Sequence, residues 1–426
     1  MSRRPRPPVD GETGAVCPVI VAHPIHQHAY ETAVGAAQAG LLQLFVTGLY
    51  WTGAGLTDPR HWRLLPGALA RRVECELSRR RHPALDPARV RAIGRYHLPA
   101  TLVRRSAGHL PVVRDLDLDR WAARRFDRTV ARLLDRTEGV ALVHVFEGGS
   151  SRTLRAAKQA GLRTVLDVPS AHERFVEAEA EETGSTAIPM AEVALERELA
   201  DLLLAPSGYV AACLKEAGVP AERILRLPYG VDPEVFQPAA APPRDGRFRV
   251  LFVGQIGHRK GVRYLLEAWR RLALPDAELL LVGAPGPAGR RLLAEYHGRY
   301  RWVGALPGRE LRRWYQCSDL FLFPSLAEGS ARVTYEAMAS GLPLVVTPNS
   351  GSVVRDGVDG FVVPARDVDA ICERVRQLHA DPGARREMGA SGRALIERSY
   401  TWRHYHRRLA ATYRAVLAGQ PIGVLD

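Results

Sequence analysis

The sequence predicts an α/β protein made of two doubly wound domains, each with a parallel sheet covered by helices. Short apolar runs alternate with stretches of helical periodicity through most of the chain, which is the pattern of strand-helix units in a parallel sheet. A proline-rich segment without periodicity, residues 238–247, is predicted to be a linker between two such series. The length of 426 residues also exceeds what one hydrophobic core usually organises.

The first series predicts a domain over residues 16–237. Its strand-like runs are residues 17–23, 41–47, 140–146, 163–169, 201–207 and 223–230. Residues 48–138 are rich in Arg with spaced Leu, and we interpret them as helices inserted between strands, without assigning them strand by strand. Residues 1–15 are basic and proline-rich, which predicts a flexible tail.

The second series predicts a domain over residues 248–400. Its strand-like runs are residues 248–254, 277–283, 300–304, 319–325 and 342–348, and a helical or turn segment follows each run. The aromatic and basic stretch at residues 401–419 is amphipathic. We expect it to form a helix that packs back on the first domain.

The composition is that of an ordinary globular chain, with 46% hydrophobic and 25% charged residues. The chain has no apolar run of the roughly 18 residues that a membrane-spanning helix needs, and its first residues do not form a secretion signal. We therefore expect a cytoplasmic protein. Its five cysteines lie far apart without a Cys-x-x-Cys pair, which favours reduced thiols over a disulfide framework or a zinc site.

Positive charge is concentrated between Arg60 and Arg136, where nineteen arginines face eight acids. A general preference for Arg over Lys explains the arginines, but it does not explain the local shortage of acids. The segment therefore predicts an anionic partner, such as lipid head groups at the inner face of the cell membrane or a phosphorylated acceptor. Few aromatic residues are available to stack on bases, so the segment does not predict nucleic-acid binding.

Two carboxylates lie at the predicted carboxyl end of a second-domain strand, where doubly wound sheets bind ligands. Glu328 falls in the loop after the strand, and Glu336 falls nearly two turns inside a helix predicted to begin near Ser330. Each carboxylate can accept hydrogen bonds from a different part of one extended ligand. We expect the helix N-terminus to offer an anion site formed by three backbone amides, those of Gly329, Ser330 and Ala331.

Two adjacent cations follow the first strand of the second domain. That strand is predicted to end at Gly254, and a short turn then carries Arg259 and Lys260 to a helix that begins near Gly261. Lys260 is one of three lysines in a chain that has 56 arginines. An ammonium group is a compact, mobile charge, so the pair predicts a site for a diphosphate.

These two motifs together closely resemble the nucleotide-sugar-binding domain of retaining glycosyltransferases of family 4, the glycosyl transferases group 1. Members of that family have the GT-B architecture, in which two Rossmann-like domains face each other across a cleft. The resemblance is close over residues 248–398. It is looser over residues 16–237, where it rests on the segments HVFEGG, DVPSAHERF, LLLAPSGYV and YGVDPEVFQP.

The resemblance implies a role for each matching residue of the second domain. Lys260 and Arg259 would neutralise the leaving diphosphate, Glu328 would hold a hydroxyl of the donor sugar, and Glu336 would hold the ribose. Further donor contacts are implied for Gly254, Gln255, Gly329, Ser330, Ala331 and Val333. The sequence departs from the family at Gln255, where an arginine is usual, and this departure puts the full cationic site in doubt.

In the first domain the resemblance implies that His172 lies near the donor sugar and the reacting centre. His23, His26 and His28 follow the first strand, and we expect them on the acceptor and phosphate side of the cleft. They do not predict a metal site, because no acidic or sulfur ligand accompanies them and the family needs no metal.

The implied reaction is transfer of a sugar from a UDP or GDP sugar to a hydroxyl of a glycan or glycolipid, with retention at the anomeric carbon and without a cofactor. Two alternatives stay open. A nucleotide-sugar epimerase of the same architecture would turn over without an acceptor. A catalytically impaired sugar-nucleotide-binding protein would bind nucleotide tightly without transfer, and Gln255 makes this alternative concrete.

Overall fold

A computed structural model describes residues 18–25, 28–51, 80–93, 118–171, 173–174, 190–240, 245–306 and 308–420. Within these ranges the strands form two separate sheets, and every strand pair in both sheets is parallel. Both domains are therefore doubly wound α/β units, as the alternation of apolar runs and helical stretches predicts.

The first sheet has seven strands in the order β3-β2-β1-β4-β5-β6-β7. Its strands are β1 (Val19–His23), β2 (Leu42–Thr47), β3 (Val90–Ala92), β4 (Leu142–Phe146), β5 (Arg163–Asp167), β6 (Leu202–Ala205) and β7 (Ile224–Arg226). The helices described between them are α1 (Ala29–Gln38), α2 (Leu118–Leu134), α3 (Ser151–Gln159), α4 (Met190–Leu199) and α5 (Gly208–Glu216).

The second sheet has six strands in the order β10-β9-β8-β11-β12-β13. Its strands are β8 (Phe248–Val253), β9 (Ala277–Val282), β10 (Arg301–Gly304), β11 (Leu320–Phe323), β12 (Leu344–Val346) and β13 (Gly360–Val362). The accompanying helices are α6 (Val262–Leu272), α7 (Pro287–Glu295), α8 (Gly308–Gln316), α9 (Arg332–Ala339), α10 (Val368–Ala380) and α11 (Pro382–Ser399).

The central strands are buried along their whole length because helices cover both faces of each sheet. All residues of β1, β4 and β11 are buried. The helices instead carry one apolar stripe. In α6, for example, the buried positions include Val262, Leu265, Leu266, Trp269 and Leu272, which recur at helical spacing and face the core.

A last helix, α12 (Trp402–Leu417), packs on α1 of the first sheet. The hydroxyl of Tyr413 lies 2.7 Å from Nδ1 of His144 in β4, and the hydroxyl of Tyr405 lies 2.8 Å from Oγ1 of Thr32 in α1. Both hydrogen bonds are buried. The chain thus passes from the first sheet to the second and returns to the first.

The carboxyl edges of the two sheets face each other, because the loops that follow their strands are in contact. A Cβ atom built on Gly329, after β11, would lie 1.6 Å from the carbonyl oxygen of Pro169, after β5. The hydroxyl of Ser207, after β6, donates a hydrogen bond of 2.5 Å to the carbonyl oxygen of Gly329. Ligand sites of doubly wound sheets lie at such edges.

Three features of the fold differ from the prediction. The strands β3 and β13 were not among the predicted runs. Two of the three residues of β3 are exposed, and it lies in the segment that was not assigned strand by strand, whereas β13 is a three-residue edge strand that directly follows a turn. Helix α9 begins at Arg332 rather than near Ser330.

Across the described part of the chain, no helix combines the length and the apolar character that crossing a bilayer would require.

Candidate active site between the two sheets

The turn between β8 and α6 is fixed by close packing against the end of β11. Gly261 adopts a positive φ of 67°, and a Cβ atom there would lie 1.8 Å from the carbonyl oxygen of Pro324. Only glycine accommodates both this conformation and this approach. The amide of Leu326 also donates to the carbonyl oxygen of Arg259. The turn and the loop after β11 therefore form one surface.

On this surface two cations meet one carboxylate. Lys260 Nζ and Arg259 Nη1 both donate to Oε1 of Glu328, the latter at 2.6 Å. The hydroxyl of Ser325 donates to the same oxygen at 3.2 Å. The side chains of Lys260, Arg259 and Glu328 are only 15%, 18% and 12% exposed. The structure thus brings together three of the predicted site residues in a largely buried ion cluster.

Burial changes the protonation chemistry of this cluster. Desolvation lowers the pKa of Lys260. The negative charge of Glu328 acts in the opposite direction but does not cancel the effect of burial, so the pKa stays below its ordinary value. The ammonium also lies 5.3 Å from the centre of the Phe323 ring. An anion that enters this site meets positive charge in a poorly solvated environment, where electrostatic attraction is stronger than in water.

One of the three amides of the predicted anion site is used inside the protein. Because α9 begins at Arg332, Ala331 precedes the helix, and its amide donates to the carbonyl oxygen of Ser350 at 2.9 Å. The amide of Glu328 donates to the carbonyl oxygen of Asn349 at 3.0 Å. These donors are used inside the protein, so the loop after β11 is held by the loop after β12.

Gly329 and Ser330 contact the protein rather than an open cleft. Gly329 lies against Pro169 of the first domain, as described above. The hydroxyl of Ser330 is buried, donates to the carbonyl oxygen of Gly351 at 3.0 Å and lies 2.9 Å from the hydroxyl of Tyr335. In this structure both residues therefore join the two domains and the two loops.

Glu336 lies in α9 with its carboxylate beside a small cavity. The hydroxyl of Tyr315 donates to Glu336 Oε2 at 2.9 Å. Burial raises the pKa of Glu336, and the positive charge of Arg332 acts against that rise. The cavity has a volume of about 120 Å³, and its lining includes Glu336, Arg332, Gly230, Asp232, Phe236 and Trp402. The segment that leads from the first sheet to the second and the start of α12, which returns to the first sheet, therefore both lie beside this carboxylate.

The remaining predicted donor residues differ in exposure. Gly254 adopts a positive φ of 154° at the end of β8, and a Cβ atom on the neighbouring Gly283 would lie 1.8 Å from its carbonyl oxygen. Gln255 is exposed at the start of the turn. Val333, in the first turn of α9, is half-buried and packs against the core.

The two described histidines at the end of β1 and in the turn that follows it, His23 and His28, are buried and hydrogen-bonded. His28 Nε2 lies 2.9 Å from Oδ2 of Asp167, and its ring packs on Tyr229 at 4.3 Å. Nδ1 of His23 accepts a hydrogen bond of 3.0 Å from the amide of Ile25. Both rings are thus held by the protein itself, and their place on the acceptor and phosphate side stays a prediction. Among the described residues, no group of three potential ligands could hold a metal ion.

His26 and His172 lie outside the described residues. Their predicted positions are therefore left as predictions. Asp167, which pairs with His28, was missed from the sequence. Burial raises its pKa, but the charge of His28 and the hydrogen bond from His28 act against burial, and the pKa is lowered. Its only sequence signal was its place at the end of a strand.

The glycine-rich turn after β4 shows how the protein fills an anion site with its own carboxylate. The amides of Gly148, Gly149 and Ser150 donate to the buried carboxylate of Glu196 at 2.7, 2.8 and 2.6 Å. These amides lie directly before the N-terminus of α3, a position that would otherwise attract an anion. The HVFEGG turn therefore supports the fold, and Glu196 was not predicted.

Comparison with known proteins identifies the second domain directly. A family model described as Glycosyl transferases group 1 matches residues 247–381. The chain is 32% identical over 284 residues to the GDP-mannose-dependent alpha-(1-6)-phosphatidylinositol monomannoside mannosyltransferase of Mycolicibacterium smegmatis, which covers 60% of this chain and 71% of that protein. It is 32% identical over 225 residues to the alpha-maltose-1-phosphate synthase of the same species, covering 46% of this chain and 58% of that protein.

A solved structure shares the whole fold. The structure of Anabaena Alr3699/HepE in complex with UDP and glucose matches with a TM-score of 0.60 over 93% of this chain and 99% of that chain, at 16% sequence identity. Two facing parallel-sheet domains, with loops in contact at their carboxyl edges, are the GT-B architecture. From the family model and the mannosyltransferase relative, we conclude that the chain belongs to the glycosyl transferases group 1 family.

Proposed function

We propose that this protein is a retaining family 4 glycosyltransferase that moves a hexose from a nucleotide-diphosphate sugar to a hydroxyl acceptor. The cluster of Lys260, Arg259 and Glu328 carries this proposal, because it offers two buried cations and a carboxylate at the carboxyl edge of the second sheet. The first domain contacts the same loop through Pro169. This arrangement suits a donor held by the second domain and attacked from the side of the first.

In the proposed complex Lys260 and Arg259 bind the diphosphate. Cleavage of the bond between the anomeric carbon and the phosphate oxygen leaves negative charge on the diphosphate, and fixed cations stabilise that charge in the transition state. Glu328 accepts a hydrogen bond from a sugar hydroxyl, and Glu336 accepts hydrogen bonds from the ribose. We infer a metal-independent reaction because these two cations supply positive charge where the leaving group develops its negative charge.

In the proposed route, the acceptor oxygen attacks the anomeric carbon from the same face of the sugar as that from which the leaving group departs. The acceptor oxygen bonds to the anomeric carbon as the phosphate oxygen leaves, and the acceptor proton moves to that phosphate oxygen. Atoms and charge balance without a protein nucleophile. We propose that His172 lies near this centre, and that His23, His26 and His28 support the acceptor side. Contact between the two domains limits entry of water and hydrolysis of the donor.

The proposed acceptor is a glycan or a lipid-linked glycan at the inner face of the cell membrane. One relative supports this class by its name, which describes a mannosyltransferase for a phosphatidylinositol monomannoside. The donor nucleotide is UDP or GDP. The mannosyltransferase relative is described as GDP-mannose-dependent, and the Anabaena structure contains UDP.

A panel of UDP, GDP and ADP sugars tests the proposal by thermal unfolding of the full chain. A donor that binds the native state raises its stability by RT ln(1 + [L]/Kd), so the correct donor raises the unfolding temperature most. The anomeric configuration of the product, read by NMR, then tests retention. If no nucleotide sugar raises the unfolding temperature, and none is consumed with candidate acceptors, the proposal is wrong.

Gln255 favours one second candidate, a sugar-nucleotide-binding protein with impaired catalysis. The family's usual arginine is absent there, and the glutamine is exposed at the turn that carries Lys260. On this alternative, nucleotide binds tightly but transfer is negligible, and Gln255→Arg raises the rate by restoring a cation. If the wild-type protein transfers sugar and Gln255→Arg leaves that rate unchanged, this second candidate fails.

A further inference from the structure

We propose that α2 and α3 together form a docking face for a membrane surface rich in anionic lipid. The two helices pack against each other on the first sheet, and their sequences contain eight Lys or Arg residues and two acids. This docking face rests on the proposed function, because a lipid-linked acceptor would bring the enzyme to a membrane surface. The face lies entirely in the described part of the chain.

The two sides of α2 differ sharply. Its buried stripe faces the core and consists of Ala122, Phe126, Val130, Leu133 and Leu134. Its opposite stripe consists of the exposed residues Trp121, Arg124, Arg125 and Arg132, with Arg128 half-buried between them. These positions recur at helical spacing and therefore lie on one side of the helix. One side of α2 thus presents four arginines and an indole.

The acid of α2 that the structure describes in full is turned inward. Asp127 is buried, and its carboxylate accepts hydrogen bonds from the amides of Arg152 and Thr153 at 2.9 and 2.8 Å. It therefore caps the N-terminus of α3 instead of standing among the exposed arginines. Helix α3 contains no acid and adds three exposed cations to the face, Arg152, Arg155 and Lys158.

Trp121 distinguishes a bilayer from other anionic partners. Trp121 is 44% exposed, and the guanidinium of Arg125 lies 5.8 Å from the centre of its ring. Tryptophan prefers the interface between lipid head groups and acyl chains, whereas arginines bind the phosphates above it. Single-stranded nucleic acid would call for several stacking aromatics, and this face exposes one. Cations spread over two helices match a continuous anionic surface.

Sedimentation with lipid vesicles tests the proposal on the full-length protein. Vesicles of phosphatidylcholine with about 40% phosphatidylglycerol should bind the wild-type protein at low salt and release it at high salt. The variant R124E/R125E/R128E/R132E should bind at least about a hundredfold more weakly, since each basic residue contributes roughly a fivefold gain in affinity. A matched control, R291E/R299E/R312E/R376E, reverses four exposed arginines of the second domain and should bind as the wild type does.

Quenching by brominated lipids locates the contact. Tryptophan fluorescence of the wild-type protein should fall on binding, and Trp121→Phe should lose most of that quenching. The proposal is overturned if the wild-type protein stays in the supernatant, or if the two fourfold variants lose vesicle binding equally. It is also overturned if the protein binds soluble heparin but no vesicle, which would indicate an acidic glycan as the partner. The nucleotide-induced rise in unfolding temperature, measured in the same variants, reports the proposed donor site independently of docking.

Discussion

At the scale of single residues, Glu328 forms ion pairs with the same two cations that we propose to bind the donor diphosphate. Lys260 and Arg259 both donate to one of its oxygens, and all three side chains are largely buried. A buried cation without a partner is costly, so this carboxylate stabilises the site without ligand. On the proposed function, donor binding exchanges this carboxylate for a diphosphate and releases Glu328 toward the sugar.

Glu328→Gln should therefore bind UDP or GDP more tightly than the wild type does. The amide removes the competing negative charge, and we expect a gain of about 1 kcal/mol, or roughly fivefold, by isothermal titration. Transfer should fall in the same variant, because the donor sugar loses a charged acceptor. The matched control is Glu295→Gln, an exposed glutamate on α7. Weaker nucleotide binding by Glu328→Gln than by this control would contradict the exchange.

The pH dependence of nucleotide binding follows from the same contact. Burial lowers the pKa of Lys260, and Glu328 raises it. Removing Glu328 leaves burial unopposed, so the ammonium loses its proton at a lower pH. Because binding needs the charged ammonium, nucleotide affinity should fall as pH rises, and this fall should begin at a lower pH in Glu328→Gln than in the wild type.

Lys260→Ala tests the proposed catalytic charge directly. Loss of one preorganised contact to the leaving diphosphate should raise the barrier by roughly 2 to 4 kcal/mol, seen as a lower kcat at saturating donor. Lys215→Ala, on the exposed side of α5, is the matched control and should keep the wild-type rate. A Lys260→Ala variant with a near-normal kcat would remove this residue from the mechanism.

The sequence predicted the residues of this cluster but not their contact. Glu328 and Lys260 were each expected to face a ligand, because each follows a strand in a recognisable motif. Their pairing depends on β8 and β11 being neighbours in the sheet, and strand order is not readable from apolar runs. The inward-facing Asp127 and Glu196 were missed for a related reason, since their partners are backbone amides of another segment.

At the scale of elements, the attachment of α12 to α1 depends on ionisable side chains. His406 Nε2 lies 2.9 Å from Oε2 of Glu31, and His82 Nε2 lies 3.4 Å from Oε1 of the same residue. Burial would raise the pKa of Glu31, but hydrogen bonds from His406 and His82 outweigh it and lower the pKa to about 2. The charged carboxylate therefore stabilises the contact between these helices.

This contact predicts a pH-dependent stability. A carboxyl whose pKa is lower in the folded state stabilises the fold above its ordinary pKa, and the contribution is lost as pH falls toward the folded-state value. Glu31→Gln should lower the free energy of unfolding by up to about 3 kcal/mol near pH 6, and this loss should shrink below about pH 4.5. Urea unfolding followed by circular dichroism measures it, with the exposed Glu222→Gln as control. A loss that is the same at both pH values would contradict this assignment.

Most elements were predictable because their signals are local. Every predicted run coincides with a strand, and the central strands give the clearest signal because they are buried on both faces and read as continuous apolar segments. The edge strand β3 was missed because two of its three residues are exposed and it lies in an Arg-rich segment, and the three residues of β13 directly follow a turn. The start of α9 was misplaced because Ser330 has the side chain of a helix cap but uses its hydroxyl to reach Gly351.

At the scale of the whole molecule, the two domains meet at glycines. Gly329 approaches Pro169 so closely that no side chain fits between them, and Gly351 packs against the carbonyl oxygen of Gly329 and the hydroxyl of Ser207. The contact involves loops that follow four strands, two from each sheet. The structure is therefore a closed arrangement at this edge, held by backbone groups rather than by large side chains.

Gly329→Ala should open this contact. The added methyl group would lie 1.6 Å from the carbonyl oxygen of Pro169, so the two loops must separate. We expect a larger radius of gyration by small-angle X-ray scattering and a lower transfer rate, with nucleotide binding largely kept. Gly208→Ala is the matched control, because a Cβ atom there meets nothing within 4 Å. An unchanged radius of gyration in Gly329→Ala would mean that this contact does not set the domain arrangement.

The return of α12 to the first sheet has a consequence for biosynthesis. A ribosome makes β1 to β7 early, yet Tyr413 and Tyr405, which bond to His144 and Thr32, emerge only after the entire second sheet has been translated. Until α12 emerges, α1 is uncovered and the side chains of His144 and Thr32 lack these two hydrogen-bond partners. Completion of the first domain is therefore a late docking event, in which α12 joins a unit that was begun before the second sheet was made.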